Sequence, residues 1–291
     1  MEPCDRLATC DTAAALQQLI AAKQRVIDRE CERFVSIGDA ESLHDLRVAM
    51  RRLHSLFAGF PHCFRKAHPA PGTLHALFRE TNHARDLEVS LAWLHREPLA
   101  LPWLAAQWQQ QLEEEYRRLR QTLPPRWLAL SPNLADPKPL LYSPLPAATF
   151  GGYAATRATA QERQLLKRLS RLHKRWDDKR AHKLRIRGKR LRYLLEPFAE
   201  EHPAAARAVA QLKGFQDKLG DYHDVMVLRQ RLRRLLHDPR PDHSSAIQRA
   251  RQQLKQEQRR QRTAIRSHYL AKMAGKLPRL LSAARRELAQ E

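Results

Sequence analysis

The chain has 291 residues, 43% of them hydrophobic, with 53 Lys+Arg against 31 Asp+Glu, a formal net charge of +22. This is long and apolar enough to bury a substantial core, and the charge is a field that gathers polyanions such as nucleic acid, acidic lipid surface or inorganic polyphosphate. No run approaches 18 apolar residues and no positive segment precedes an apolar one at the start, so neither a membrane span nor a signal peptide is expected.

The predicted elements run in order as follows. Asp11 or Thr12 caps a helix to about Ile37, where Gly38 and Asp39 end it. A second helix spans Glu41 to Phe60 and is stopped by Gly59 and Pro61. Pro69 to Thr73 lead into a third that reaches about His95, and a fourth covers Leu101 to Thr122. Seven prolines between Leu123 and Gly152 then read as a connecting segment. Beyond it, helices are expected at Thr156 to Trp176, Lys179 to Ala199, Ala204 to Leu236 and Ser244 to about Ala274, with a short one from Leu280 to Ala289. The four cysteines, Cys4, Cys10, Cys31 and Cys63, show no Cys-x-x-Cys pair, and reduced thiols in a cytoplasm are expected.

The chain writes one stretch twice. His44-x-x-Arg47-Val48-x-x-Arg51-Arg52-Leu53 returns as His182-x-x-Arg185-Ile186-x-x-Lys189-Arg190-Leu191, 138 residues on. Asn82 to Val89 and Gly220 to Val227 match at the same offset, and Leu112 to Arg120 finds an echo at Leu254 to Arg262. Such spacing argues for an internal duplication. The expected fold is all-α: two four-helix units related by a pseudo-twofold, residues 11–122 and 153–291, joined by a Pro-rich linker at 123–152. The excess charge is uneven, since residues 1–152 carry 18 Lys+Arg against 17 Asp+Glu (+1) and the remainder 35 against 14 (+21).

At about 100° per residue each motif splits into two faces. Leu43, Leu46, Met50, Leu53 and Phe57 form one apolar stripe, and Leu184, Leu191, Leu194, Leu195 and Phe198 the other. His44, Arg47, Arg51 and His54 oppose the first; His182, Arg185, Lys189 and Arg192 oppose the second. Guanidinium grips phosphate through paired hydrogen bonds, so two such rails facing one central groove would bind an extended anion. Lys213, Lys218, Arg118 and its echo Arg260 widen the basic surface. No metal is expected at His44 or His182, because neighbouring arginines repel a divalent cation. Asp86 and Asp224, after the breakers Asn82 and Gly220, read as helix caps or as carboxylates that orient a rail arginine. The five tryptophans read as packing residues. The chain lacks His-Glu-x-x-His, Gly-x-Ser-x-Gly and any phosphate-cradling glycine loop, and Glu113 to Glu115 read as a solvated helix face, so catalysis is not expected.

The paired motifs, with Arg85-Asp86-Leu87-Glu88-Val89 and His223-Asp224-Val225-Met226-Val227, resemble those of the CHAD family, the conserved histidine α-helical domain. The resemblance covers essentially the whole chain. It implies an all-helical, pseudo-twofold domain with a basic central groove that binds inorganic polyphosphate, in some members at polyphosphate granules; with no catalytic motif present, non-enzymatic binding without a cofactor is expected. Its ligands here would be His44, Arg47, Arg51, Arg52, His54, Arg118, His182, Arg185, Lys189, Arg190, Arg192, Lys213, Lys218 and Arg260. His54 stands where the second copy has Arg192, and His223 where the first copy has Arg85, so unequal contributions from the halves are expected. Nothing before Asp11 could encode the β-strand triphosphate-tunnel domain of many relatives, so a standalone domain is expected. The rival reading is a basic helical protein that binds nucleic acid.

Overall fold

The computed structural model describes residues 6–96, 101–141, 149–236 and 241–290. Among these residues the regular structure is helical, and two isolated bridges, Asp11 with Thr149 and Phe64 with Leu141, stand in place of any strand. The fold is all-α, as expected. Its helices are α1 (Thr12–Ile37), α2 (Ala40–Gly59), α3 (Ala70–Glu80), α4 (Asn82–Arg96), α5 (Pro102–Leu130), α6 (Pro132–Ala135), α7 (Phe150–Lys174), α8 (Asp178–Leu195), α9 (Pro203–Leu235), α10 (Pro241–Ala264) and α11 (Ala271–Ala289). One contiguous apolar core draws residues from all of them.

The caps are legible in the sequence. Asp11 accepts hydrogen bonds from the Ala13 and Ala14 amides at the start of α1, and Gly38 (φ 69°) ends that helix in the left-handed region, where glycine carries no Cβ penalty. Asp39 and Ser42 form a reciprocal capping box on α2. Asp177 accepts from the Arg180 amide on α8.

Three boundaries differ from the sequence expectation, and one residue read as a breaker does not act as one. The third helix is two, parted at Thr81, and this break places Asn82 beside α2. The proline segment is partly helical, since α5 passes through Pro124 and Pro125 to Leu130. A helix-interior proline costs about 3 kcal/mol, but burying Leu123, Trp127 and Leu130 returns roughly 1.5–3 kcal/mol each, and Trp127 Nε1 donates to Asp28 at 2.7 Å. Gly220 does not interrupt α9, because a mid-helix glycine costs only about 1 kcal/mol while Leu219, Tyr222 and Val225 are buried around it. Finally, α10 runs through a π-helical turn, Ile265–Leu270, directly into α11 despite Pro278, whose stripe of Met273, Leu277, Leu281, Ala284 and Leu288 is buried against α7 and α9.

Both predicted apolar stripes are buried: Leu43, Leu46, Met50, Leu53 and Phe57 from α2, and Leu184, Leu191, Leu194, Leu195 and Phe198 from α8 and the 3-10 turn after it. Phe60 stacks on Phe150 at 4.8 Å, and Phe150 meets Phe198 at 5.0 Å, so one aromatic column ties α2, α7 and the end of α8 together. The thiols depart from expectation at one place. Cys31 and Cys63 are free and buried, but Cys10 is disulfide-bonded, a pairing for which the linear spacing carries no signal. Among the described residues no helix is long and apolar enough to cross a membrane.

Candidate functional site

The two stripes turn α2 and α8 inward, so these helices lie side by side with their basic faces directed into one trough that α4 and α9 close. The trough has a volume of about 410 Å³. His44, Arg47 and Arg51 enter it from α2, and His182, Arg185 and Lys189 from α8. Matching positions of α4 and α9 supply Arg85 with Asp86, and His223 with Asp224. Residues 138 apart in sequence thus share one wall.

Electrostatics inside the trough favour an incoming anion. The Nε atoms of Arg51 and Arg185 in its lining, and of Arg192 outside it, are buried without a hydrogen-bond partner. Unmet donors of this kind cost free energy until an acceptor arrives. Burial, then Arg185, Arg51 and Arg192, lower the Lys189 ammonium to about 7, and Asp224 offsets only part of this. Burial, then Arg185, His182 and Lys189, push His223 down to about 4. His182 lies 5.0 Å from the His223 ring and is itself lowered by burial, Arg185 and Lys189. His44 is lowered by burial, then by Arg85 and Arg51. Each of these basic groups is thus lowered by burial first and by the neighbouring cations second.

Arg47 differs from the other rail residues. It is 8% exposed, donates through Nη1 to Thr81 Oγ1 and through Nη2 to Asn82 Oδ1 at 3.2 Å, and lies 4.8 Å from the Phe78 ring centre. Its guanidinium therefore bolts α2 to the α3–α4 break, with burial lowering it to about 10. Thr81 and Asn82 do this positioning, and sequence reading marked Asn82 only as a breaker. A fuller signal was the polar pair itself, Thr81-Asn82, at a helix interruption.

Other positioning contacts lie behind the walls. Glu88 accepts from Arg85 Nη1 at 2.9 Å and from the Tyr116 hydroxyl at 2.9 Å, fixing Arg85 at the rim. At the start of α8, Asp178 accepts from the Tyr222 hydroxyl at 2.5 Å and from Trp176 Nε1 at 2.9 Å, and Gln258 Nε2 donates to Tyr222 at 3.0 Å. This network fastens α8 to α9 and α10. Asp224 is not a cap, since α9 is continuous there. Its carboxyl is raised by burial and pulled back by Arg185 and Arg85, which fits the alternative reading as a partner of a rail arginine.

The remaining candidate residues stand elsewhere. Arg192 neighbours Lys189 and lies over the Tyr193 ring at 4.5 Å, outside the lining. Arg52 pairs with Glu196 at 3.5 Å, and His54 stacks on His75 at 4.8 Å, with burial, His75 and Arg190 bringing it down to about 4. Arg118 is held by both oxygens of Glu115, at 2.9 and 2.6 Å. Lys218 lies 3.9 Å from Asp221, and Lys213, Arg190 and Arg260 are exposed. Among the described residues no group of three or more His, Cys, Asp or Glu is arranged to hold a metal ion. A larger cavity of about 640 Å³ adjoins the trough across Arg85, Val89 and Asp224, but Glu88, Asp221 and Glu257 in its wall oppose an anion.

No curated protein sequence matches the chain. Among solved structures it is similar to the CHAD domain from the plant Ricinus communis, with 24% identity, 97% of this chain and 95% of that chain covered, and a TM-score of 0.76. It is also similar to PptA from Streptomyces chartreusis, with 18% identity, 89% and 99% covered, and a TM-score of 0.64. These likenesses concern the fold. The CHAD domain family model matches residues 13–233, which include both copies of the motif and all the basic residues of the trough, and the chain belongs to that family.

Proposed function

We propose that this protein binds inorganic polyphosphate, without cleaving it, in the trough between α2 and α8. One observation carries the reading: His, Arg and Lys side chains from both motif copies converge on a single cavity in which the Arg51 and Arg185 Nε donors have no partner. A chain of phosphates supplies acceptor oxygens and compensating charge at every step, so each unmet donor finds a partner and Lys189 takes up a proton as the anion raises its basicity. The carboxylates in the wall, Asp86 and Asp224, lie among guanidinium groups and act as orienting partners rather than as a base. Placement at polyphosphate granules follows from the same chemistry.

The test is equilibrium binding of polyphosphate by the wild type and by the triple variant Arg51→Ala, Arg185→Ala, Lys189→Ala, with RNA and duplex DNA as competitors over a range of salt. The reading expects affinity to fall steeply with salt through counterion release, to collapse in the variant, and to yield to nucleic acid only at far higher phosphate concentration. An unchanged affinity in the variant would sink the assignment. Phosphate release from long or short polyphosphate with added divalent metal would overturn the non-catalytic part.

A further inference from the structure

The outer face of α7 and α8 differs from the matching face of α1 and α2 in a way that the trough does not explain. On α1 and α2 the charges are balanced: Arg33 contacts Asp45 at 2.5 Å and Glu30 at 3.4 Å, with Glu41 at 3.9 Å. At the motif offset of 138, the positions of Arg33, Glu30 and Asp45 become Arg171, Arg168 and Lys183, and Ala49 becomes Arg187. Glu41 becomes Lys179 at the same offset, so all three carboxylates have turned into cations. Arg187 is lowered by burial and then by Arg190 and Arg168, with no carboxylate among the groups that act on it. None of Arg168, Arg171, Lys183 and Arg187 makes an ion pair among the described residues. Like charges held this close cost stability, and the cost is relieved by a bound polyanion.

The face is also joined to the trough. Arg190 is exposed, follows Lys189 in sequence, and acts electrostatically on both Arg187 and His54. It stands on the crest of α8, between the buried rail and the outer arginines.

We propose that the outer face of α7 and α8 is a second phosphate track, reached over Arg190, on which a long polyphosphate chain continues after filling the trough. The inference rests on the polyphosphate reading above. It makes chain length a determinant of affinity, since a short oligomer is held by the trough alone and a long one by both surfaces.

The experiment uses the full chain with Arg168→Glu, Lys183→Asp and Arg187→Ala. These changes install what positions 30, 45 and 49 already carry, so that Arg171 gains counterparts of the two carboxylates that hydrogen-bond Arg33. Tripolyphosphate, long-chain polyphosphate and duplex DNA are titrated against wild type and variant at several salt concentrations. The expected result is a tripolyphosphate affinity within about twofold of wild type, a long-chain affinity lower by at least about tenfold, and a flatter salt dependence for the long chain. A milder pair at exposed sites, Arg171→Ala with Lys183→Ala, should lower long-chain affinity by about threefold if the triple variant melts early. An unchanged long-chain affinity in both variants overturns the track, and so does an equal loss for both ligands. A loss confined to duplex DNA would assign the face to nucleic acid and overturn it too. The trough variant separates the two readings: if Arg51→Ala, Arg185→Ala, Lys189→Ala retains tripolyphosphate, the trough assignment fails whatever the outer face does.

Discussion

Raising the pH from 7 to 9 should release polyphosphate through a single side chain. Lys189 has Arg185 and Arg192 beside it on α8, Arg51 across on α2, and only Asp224 from α9 as counter-charge, which together with burial brings its ammonium to about 7 in the free protein. A phosphate chain in the trough restores the ordinary lysine range, so binding above pH 7 takes up close to one proton. Affinity then falls as pH rises, by about fivefold between pH 7 and 8 and about fiftyfold between 7 and 9, as long as the bound lysine stays charged. Below pH 7 the free lysine is already protonated and its contribution levels off. The assay is calorimetric titration at constant ionic strength in two buffers of different ionisation enthalpy, which counts protons directly, repeated with Lys189→Arg. Arginine stays charged throughout this range, so the loss between pH 7 and 9 should vanish in that variant. A wild-type affinity that does not change, or a pH slope that survives Lys189→Arg, would refute the reasoning.

Lys189→Met should stabilise the free protein at pH 6, where wild type must keep a buried ammonium charged; the gain in melting temperature should shrink as pH climbs from 7 towards 10.5, the opposite of its effect on binding. Arg47→Ala should act mainly on folding, lowering unfolding free energy by about 2–4 kcal/mol in urea titrations, because two charge-assisted hydrogen bonds and the Phe78 contact are lost together. Arg118→Ala should leave polyphosphate affinity within about twofold, since Glu115 already neutralises that guanidinium at the surface; a marked loss in the same titration would place Arg118 on the ligand. Phe60→Ala should cost about 3–5 kcal/mol by opening the aromatic column, read as a lower urea midpoint at unchanged slope.

The repeated motif made the trough legible in outline, because helical periodicity alone separates Leu46 and Met50 from Arg47 and Arg51. It could not show how deep each rail side chain lies. Arg47 and Arg51 share a face one turn apart, yet the first is consumed by Thr81 and Asn82 while the second keeps a bare Nε, and that division depends on where the α3–α4 break falls. Arg118 shows a related limit of the sequence. Its place in an echoed segment drew attention, whereas the Glu115 three residues before it, a plain helical spacing, settles its charge. Proline at 124, 125 and 278 gave the wrong helix ends, because local propensity was outweighed by burial of Trp127, Leu277 and Leu281 that only the tertiary arrangement reveals. The outer face of α7 and α8 was readable from the offset, but only once the Arg33–Asp45 contact showed which positions ought to have been paired.

Near the start of α7, Gly151 lies where three distant parts of the chain converge. Its amide donates to the Ala8 carbonyl at 2.9 Å, and a methyl group placed on it would sit 2.6 Å from the Leu288 carbonyl oxygen and 3.0 Å from the Ala8 side chain. The segment before α1 and the end of α11 are therefore both seated against the first turn of α7. A single methyl at position 151 would loosen both attachments at once.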